Sequence, residues 1–188
     1  EYAPGSGIAA LPDSEEIAFA RPAALDAVRP VVTSEGRRVS LQAFKPTDIE
    51  VDAKLMQFKS GGDAQGVTER LRGVQQWDPI AAGAVTVWES VDGRRLIADG
   101  HQRLGLASRM LADNPGADIS LNAFVLREAD GISARDARII TALKNIGEGS
   151  GTLTDAAKVF REGGDMAAEA LAKRLPPRSM LVRDGKAL

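Results

Sequence analysis

The sequence predicts an α+β fold, in which a small mixed sheet is packed with helices and the C-terminal part is helical. Segments with the alternation typical of strands come mainly first, and segments with helical spacing come mainly after them. An Asp92-Gly93 pair between two β-prone runs indicates a hairpin among the strands. Strands that are grouped ahead of the helices favour α+β over a parallel sheet with alternating helices.

Length and composition limit what the chain can do. A chain of 188 residues is long enough for one domain with extended ends, and 44% hydrophobic residues provide a packed core. With 24 basic and 26 acidic residues the net charge is -2, which excludes a strongly basic DNA clamp but leaves a local basic patch open. The sequence has no cysteine and one histidine, which excludes disulfides, thiolate metal sites, a cysteine nucleophile and multi-histidine metal centres.

The ends of the chain suggest a segment of a longer, cytoplasmic polypeptide. No apolar run approaches the ~20 residues of a membrane span, and the start, Glu1-Tyr2-Ala3-Pro4, has no signal-peptide pattern. Residues 1–36 are rich in alanine and proline, which predicts an extended leader. The domain itself is expected over 37–165, followed by a terminal helix and linker over 166–188.

The first strands are predicted from alternation. Val39, Leu41 and Ala43 alternate with polar residues from about Arg37 onwards, which predicts a strand with one buried face. A second short strand is expected at Ile49 and Val51. Apolar residues at helical spacing then predict an amphipathic helix over 63–77.

The later elements follow from turn, spacing and capping signals. The hairpin strands are expected at 86–89 and 96–98, on either side of Asp92-Gly93. The remaining elements are a helix that begins after Gly100, a strand over 119–125, and helices over 133–144, 152–160 and 167–175. Capping boxes begin two of these helices, Ser133 with Asp136 and Thr152 with Asp155.

The segment Gly100-His101-Gln102-Arg103 combines features that suit a phosphate. A helix that begins directly after a strand presents free N–H groups, and its dipole favours an anion. Gly100 allows close approach of a ligand to the backbone, and Arg103 provides a planar fork of donors. The alternative is a tight turn in which Arg103 pairs with a surface carboxylate, and the residues alone favour neither interpretation.

The same segment resembles the Gly-x-x-Arg-x-x-Ala motif of the ParB/sulfiredoxin superfamily, in which a strand leads into a helix. Gly100 and Arg103 match the motif, and Ala107 lies one place later than in the usual ParB form. Downstream, Lys144-Asn145-Ile146 resembles the Glu-Asn-x-x-Arg segment of chromosome-partition ParB proteins. The resemblance covers roughly residues 47 to 165. Within this range the chain is similar to the ParB-like domains of large phage and conjugative-element proteins.

The resemblance implies the ParB/sulfiredoxin fold and a pocket for nucleotide or DNA phosphates. Members of the superfamily include CTP-binding DNA clamps, nucleases, an ATP-using reductase and a free-serine kinase. The implied function is therefore phosphate binding in the DNA processing of a mobile element, with nuclease or NTPase activity as its enzymatic form. The alternative is a non-catalytic module that binds nucleic acid or protein. Mg²⁺ with a nucleoside triphosphate is the implied cofactor, and DNA, a nucleotide and other domains of a longer polypeptide are the implied partners.

The phosphate-contacting candidates that the resemblance carries over are Gly100, His101, Gln102, Arg103, Asn145 and Lys59. Lys59 stands where the family has an arginine, and Lys144 stands where ParB clamps have a glutamate, which counts against a metal-dependent triphosphatase. Since the chain lacks cysteine, the reductase activity is excluded. No helix-turn-helix module can be placed after residue 160, and no set of metal ligands is identified.

His101 and Asp99 are the catalytic candidates. His101 at a helix N-terminus would stay neutral and could act as a general base, or it could cap the turn or donate to a backbone carbonyl. Asp99 adjoins the anion site and could bind a metal, although a helix N-cap is the favoured interpretation. Trp77 and Trp88 are interpreted as core anchors rather than base-stacking platforms.

Overall fold

The protein is described by a computed structural model, which covers residues 30–32, 38–56, 71, 73–176, 179 and 184. Lys59, most of the predicted leader and most of the predicted helix over 63–77 lie outside the described residues.

A five-stranded mixed sheet forms the centre of the described fold, in the order β1-β2-β5-β3-β4. The strands are β1 (Pro30–Val32), β2 (Arg38–Phe44), β3 (Val85–Glu89), β4 (Arg95–Asp99) and β5 (Leu121–Arg127). β3 and β5 are parallel, and every other neighbouring pair is antiparallel. The predicted α+β class with a small mixed sheet is therefore confirmed.

The helices are α1 (Ala53–Met56), α2 (Pro79–Ala82), α3 (His101–Asp113), α4 (Ala134–Gly147) and α5 (Leu153–Arg174), with 3₁₀ turns at Pro46–Asp48 and Glu128–Asp130. The predicted capping boxes begin α4 and α5, with reciprocal side-chain and backbone hydrogen bonds in each. Among the described residues, no helix is both long and apolar enough to cross a membrane.

The sheet separates two parts of the core, because side chains alternate between its faces. On one face α3 buries Leu104, Ala107 and Met110 against strand residues such as Val87 and Val125. On the opposite face, Ala137 of α4 and Met56 of α1 pack with apolar side chains of the central strands. The N-terminus of α3 and the C-terminus of α4 are thereby both held in place by the same sheet.

The long helix α5 packs on α4 rather than on the sheet. It breaks at Gly164, whose φ of 55° and ψ of -142° are not helical, so the two helices predicted from the sequence correspond to its two halves. Val159 from the first half and Leu171 from the second are both fully buried in one cluster with Ile146 of α4. The terminal helix therefore shares its core with α4.

The hairpin around Asp92-Gly93 is confirmed, with β3 and β4 as its strands. Its loop is longer than a two-residue turn: Gly93 N–H donates to Ser90 O at 3.0 Å, and Ser90 N–H donates to Arg94 O at 2.9 Å. Gly93 has a φ of 85°, which glycine adopts without strain.

Several expectations for the N-terminal part were wrong. β2 forms as predicted, but Leu41 is 44% exposed and Ala43 is also exposed, because the described helices of that face pack mainly on β3 and β4. Instead of a strand at Ile49 and Val51, the structure has a single parallel bridge from Glu50 to Leu96. Residues 73–77 are not helical, in contrast to the predicted helix over 63–77.

Strand β1 falls inside the segment that was expected to be an extended leader. Its three residues pair antiparallel with β2, in the register Pro30 to Ser40 and Val32 to Arg38. Proline at the start of an edge strand is tolerated because its missing N–H need not join the ladder.

Candidate functional site

The turn at Gly100 joins the buried strand β4 to α3 with almost no connecting chain. Gly100 is the N-cap of α3 and has a left-handed conformation with φ of 99°. A Cβ at this position would lie 2.6 Å from Cγ1 of Val85, so only glycine fits. The first helical bonds run from the N–H groups of Arg103 and Leu104 to Gly100 O, at 2.9 and 3.0 Å. Because the intrahelical bonds begin at Arg103, the first N–H groups of α3 have no carbonyl partner within the helix itself.

Asp99 lies at the centre of the charged groups beside this turn. Its Oδ2 accepts from Lys144 Nζ at 3.0 Å and from Arg103 Nη2 at 3.4 Å, and its Oδ1 accepts from Asn145 Nδ2 at 3.4 Å. The favoured N-cap interpretation of Asp99 was wrong, since Gly100 is the N-cap and has no side-chain cap bond. The carboxylate instead joins β4 to the C-terminal end of α4.

The charge of Asp99 is stabilised despite its burial. Burial raises the pKa of Asp99, but Lys144, followed by Arg103 and Asn145, outweighs it and brings the pKa below the ordinary value. Burial lowers the pKa of Lys144, while Asp99 and Glu148 raise it above the ordinary value. Glu148 Oε2 accepts from Lys144 Nζ at 3.1 Å. Both partners of the Asp99–Lys144 pair are therefore charged near neutral pH.

Arg103 contacts backbone oxygens at the end of α2 and in the loop that joins α2 to β3. Its Nη1 donates to Ala82 O at 2.9 Å and to Ala84 O at 2.8 Å. Its bond to Asp99 is the longer one, at 3.4 Å. Arg103 therefore pairs with a carboxylate, as one of the two interpretations from the sequence expected. It also makes two carbonyl contacts that no sequence pattern indicates.

His101 is 8% exposed, and its Nε2 is buried with no hydrogen-bond partner among the described residues. Burial lowers the pKa of His101, and the nearby Asp99 opposes this without reversing it. The imidazole is therefore neutral at pH 7, as the sequence analysis expected for a histidine at a helix N-terminus. A buried polar atom that lacks a partner is uncommon, so this nitrogen is a candidate to bind a ligand or a water.

The donors at the turn do not fit a Mg²⁺ site made by the protein alone. No group of three or more His, Asp or Glu residues that could hold a metal occurs within the described ranges. Magnesium is usually held by one or two carboxylates together with substrate phosphates. Asp99 is the one carboxylate in the turn, and both of its oxygens already accept from Lys144, Arg103 or Asn145. The described residues of the turn therefore do not form a metal site on their own.

The remaining candidates, Gln102 and the two tryptophans, lie either in the first turn of α3 or in or against the core. Gln102 is half-buried in the first turn of α3, beside His101. Trp88 is a core residue whose Nε1 donates to Ile132 O at 2.8 Å, and Trp77 packs against the sheet core, so both were correctly assigned. The sequence analysis missed Lys144 as a member of the site, although a lysine four residues before Glu148 on a helix could have signalled a charged pair.

Comparisons with protein-family models, with curated proteins and with solved structures find no match to this chain.

Proposed function

We propose that this chain is a ParB-like domain that binds the phosphates of a nucleotide or of DNA at the turn from Gly100 to Arg103. The observation that carries the proposal is the convergence on one turn of the N-terminus of a 13-residue helix and two donor side chains, Lys144 and Asn145, from the end of α4. The proposed setting is the DNA processing of a mobile element, in the cytoplasm, with further domains of a longer polypeptide as partners.

The chemistry of the turn suits a phosphate better than a neutral ligand. The helix dipole and the first backbone N–H groups of the helix favour a negative charge at the start of α3. Lys144 adds a positive charge that is shared between Asp99 and the exposed Glu148, and a phosphate would compete with Glu148 for it. The left-handed Gly100 has no side chain that would keep a ligand away from the backbone.

In the enzymatic form of the proposal, the domain hydrolyses a nucleotide or a phosphodiester. His101 is then the residue to activate water, because a neutral imidazole accepts a proton. Its buried Nε2 without a described partner is the feature that supports this role.

In the second form, the domain binds nucleic acid or protein without hydrolysis. The engagement of both Asp99 oxygens supports it, since a metal or a water proton would have to compete with Lys144, Arg103 and Asn145 for that carboxylate. Lys144 in place of the family's glutamate supports it as well.

A thermal-shift panel tests the binding proposal. The panel contains CTP, ATP, GTP, ADP and a short DNA, each with and without magnesium. A ligand at about 100 times its Kd adds about 2.7 kcal/mol to the free energy of unfolding, which raises Tm by a few degrees. We expect a rise for at least one ligand, its loss in Lys144→Gln, and its retention in Lys173→Gln, an exposed lysine on α5. A panel without any shift would contradict the proposal.

Hydrolysis is tested with the ligand that gives the largest shift, by measuring release of inorganic phosphate or cleavage of the DNA. The enzymatic form predicts turnover that His101→Gln abolishes while the Tm shift persists. Binding without turnover in the unmodified protein would establish the second form instead.

A further inference from the structure

We propose that Arg103 is a positioning residue, which holds the α2–β3 loop against the turn, and that Lys144 is the side chain that contacts the ligand's phosphate. This inference rests on the proposed phosphate binding. It reverses the assignment that the Gly-His-Gln-Arg pattern suggests, in which Arg103 is the phosphate donor.

The guanidinium of Arg103 hydrogen-bonds to groups of the protein itself. One nitrogen, Nη1, bridges Ala82 O at the end of α2 and Ala84 O in the loop before β3, so the guanidinium holds two carbonyls that are two residues apart. The other terminal nitrogen, Nη2, reaches Asp99 at the end of β4. If the guanidinium turned to a phosphate, two part-buried carbonyls would lose their donor, which is costly for groups away from water.

Two glycines with positive φ make room for this arrangement. A Cβ at Gly100 would lie 3.1 Å from Arg103 Nη2, and a Cβ at Gly83 would lie 3.8 Å from Nη1. The guanidinium therefore lies beside both bends of the backbone, at φ of 99° and 59°. Arg103 connects the loop before β3 to the turn before α3, and this fixes the position of the helix N-terminus.

Lys144 has the freedom that Arg103 lacks. Its side chain is 36% exposed against 27% for Arg103, and its charge is carried on a flexible stem. Besides Asp99 it contacts only one other acceptor in the described part of the chain, Glu148, which is 56% exposed. Exposed ion pairs on a helix are weak, so a phosphate can replace Glu148 while Lys144 keeps its bond to Asp99.

The experiment measures the Kd for inorganic triphosphate between about 50 and about 200 mM NaCl, because a lost phosphate contact reduces the salt dependence of binding. We expect Lys144→Gln to weaken binding about tenfold or more and to flatten the salt dependence, as the loss of a charged hydrogen bond would. Arg103→Gln should weaken binding while the salt dependence stays as in the unmodified protein. Arg103→Lys should be as weak as Arg103→Gln, because an ammonium cannot reproduce the planar fork.

Glu148→Gln provides a test in the opposite direction. It removes the acceptor that competes with phosphate for Lys144, so we expect tighter triphosphate binding, by about two- to threefold for an exposed pair. The double variant with Lys144→Gln should show no such gain.

A ligand-free measurement keeps the role of Arg103 testable in every case. We expect Arg103→Gln to speed hydrogen exchange of the amides over 80–85, and Lys144→Gln to leave it unchanged. Arg109→Gln is the matched control: Arg109 lies on the same helix and also donates to two loop carbonyls, Leu71 O at 3.3 Å and Val74 O at 2.8 Å. It should leave both the triphosphate Kd and the exchange over 80–85 as they are.

The inference is overturned if Arg103→Lys retains the affinity, if Arg103→Gln flattens the salt dependence, or if Lys144→Gln binds triphosphate normally. Unchanged exchange over 80–85 in Arg103→Gln also overturns it. If the unmodified protein does not bind triphosphate, the proposed function fails, and the exchange measurement still decides whether Arg103 positions the loop.

Discussion

Asp99 connects three parts of the molecule through a single carboxylate. It ends β4, it is paired with Arg103 on α3, and it accepts from Lys144 and Asn145 on α4. Its side chain is only 12% exposed, so its charge depends on these partners rather than on water. Removal of the charge should therefore affect the stability of the whole domain.

We expect Asp99→Asn to lower the free energy of unfolding by about 2 kcal/mol at about pH 7, since it leaves two cations without their shared partner. The pKa of Asp99 is lowered in the folded state, so its contribution is present above the unfolded pKa of about 4 and is lost as the pH falls through the folded value. Urea unfolding of both proteins at several pH values measures this. The control Asp118→Asn, at an exposed position, should change the free energy by no more than about 0.5 kcal/mol. A gap that stays constant down to about pH 2 would contradict the assigned pairing.

His101 can be followed directly, because it is the only histidine of the chain. Burial lowers its pKa, so we expect its imidazole resonance in NMR to titrate with a midpoint below about 6.5. The neutral form is favoured by folding, and the stability this contributes is present above the unfolded pKa and is lost as the pH falls through the folded one. A midpoint at or above the unfolded value would mean that Asp99 outweighs the burial.

At the residue scale, the sequence located the turn but did not assign all of its contacts. Gly100 and Arg103 are recognisable because a glycine before a helix and an arginine in its first turn form a local pattern. The acceptors of Arg103 are the carbonyls of Ala82 and Ala84, and a backbone carbonyl has no signature in sequence. Lys144 comes from a distant helix, so only the fold brings it to the site.

Among the elements, the turn between β4 and α3 is the most constrained. We expect Gly100→Ala to cost more than about 2 kcal/mol, because it adds a contact of 2.6 Å with Val85 to the strain of a positive φ. The control Gly131→Ala has a φ of 79° and no atom within 4 Å of the added Cβ, so it should cost only about 1 kcal/mol. Denaturant unfolding of the two variants separates close packing from backbone strain. Equal losses would show that Val85 moves aside.

The sequence predicted an element well where neighbouring residues alone determine where that element begins. The capping boxes at Ser133 and Thr152 are complete within four residues, and they begin α4 and α5 as expected. Alternation at Leu41 could not show that this part of β2 lies beyond the covering helices. Neither could it show that Glu50 would pair with β4 through one residue alone. These outcomes depend on tertiary packing, which the period of a pattern does not contain.

For the whole molecule, the site depends on the position of α4, and α4 is supported by α5. Leu171 of α5 is fully buried in the cluster with Ile146, next to Asn145. We expect Leu171→Ala to cost about 2 to 5 kcal/mol through the cavity it creates. Met166→Ala, at a 57% exposed position on the same helix, should cost far less. Thermal or urea unfolding compares them, and equal effects would argue that α5 is not docked on α4.

The single bridge at Glu50 bears on how readily molecules of this protein associate through the edge of the sheet. β4 is an edge of the sheet, and Glu50 occupies part of that edge by accepting from Ile97 N–H at 3.0 Å and donating to Arg95 O at 2.7 Å. Its carboxylate also binds Arg94, so a charged pair lies at the border of the strand. Exposed edge strands are the usual templates for uncontrolled strand addition between chains, and a covered, charged edge discourages it. We therefore expect this one residue, outside any strand, to reduce strand addition at the β4 edge at high protein concentration.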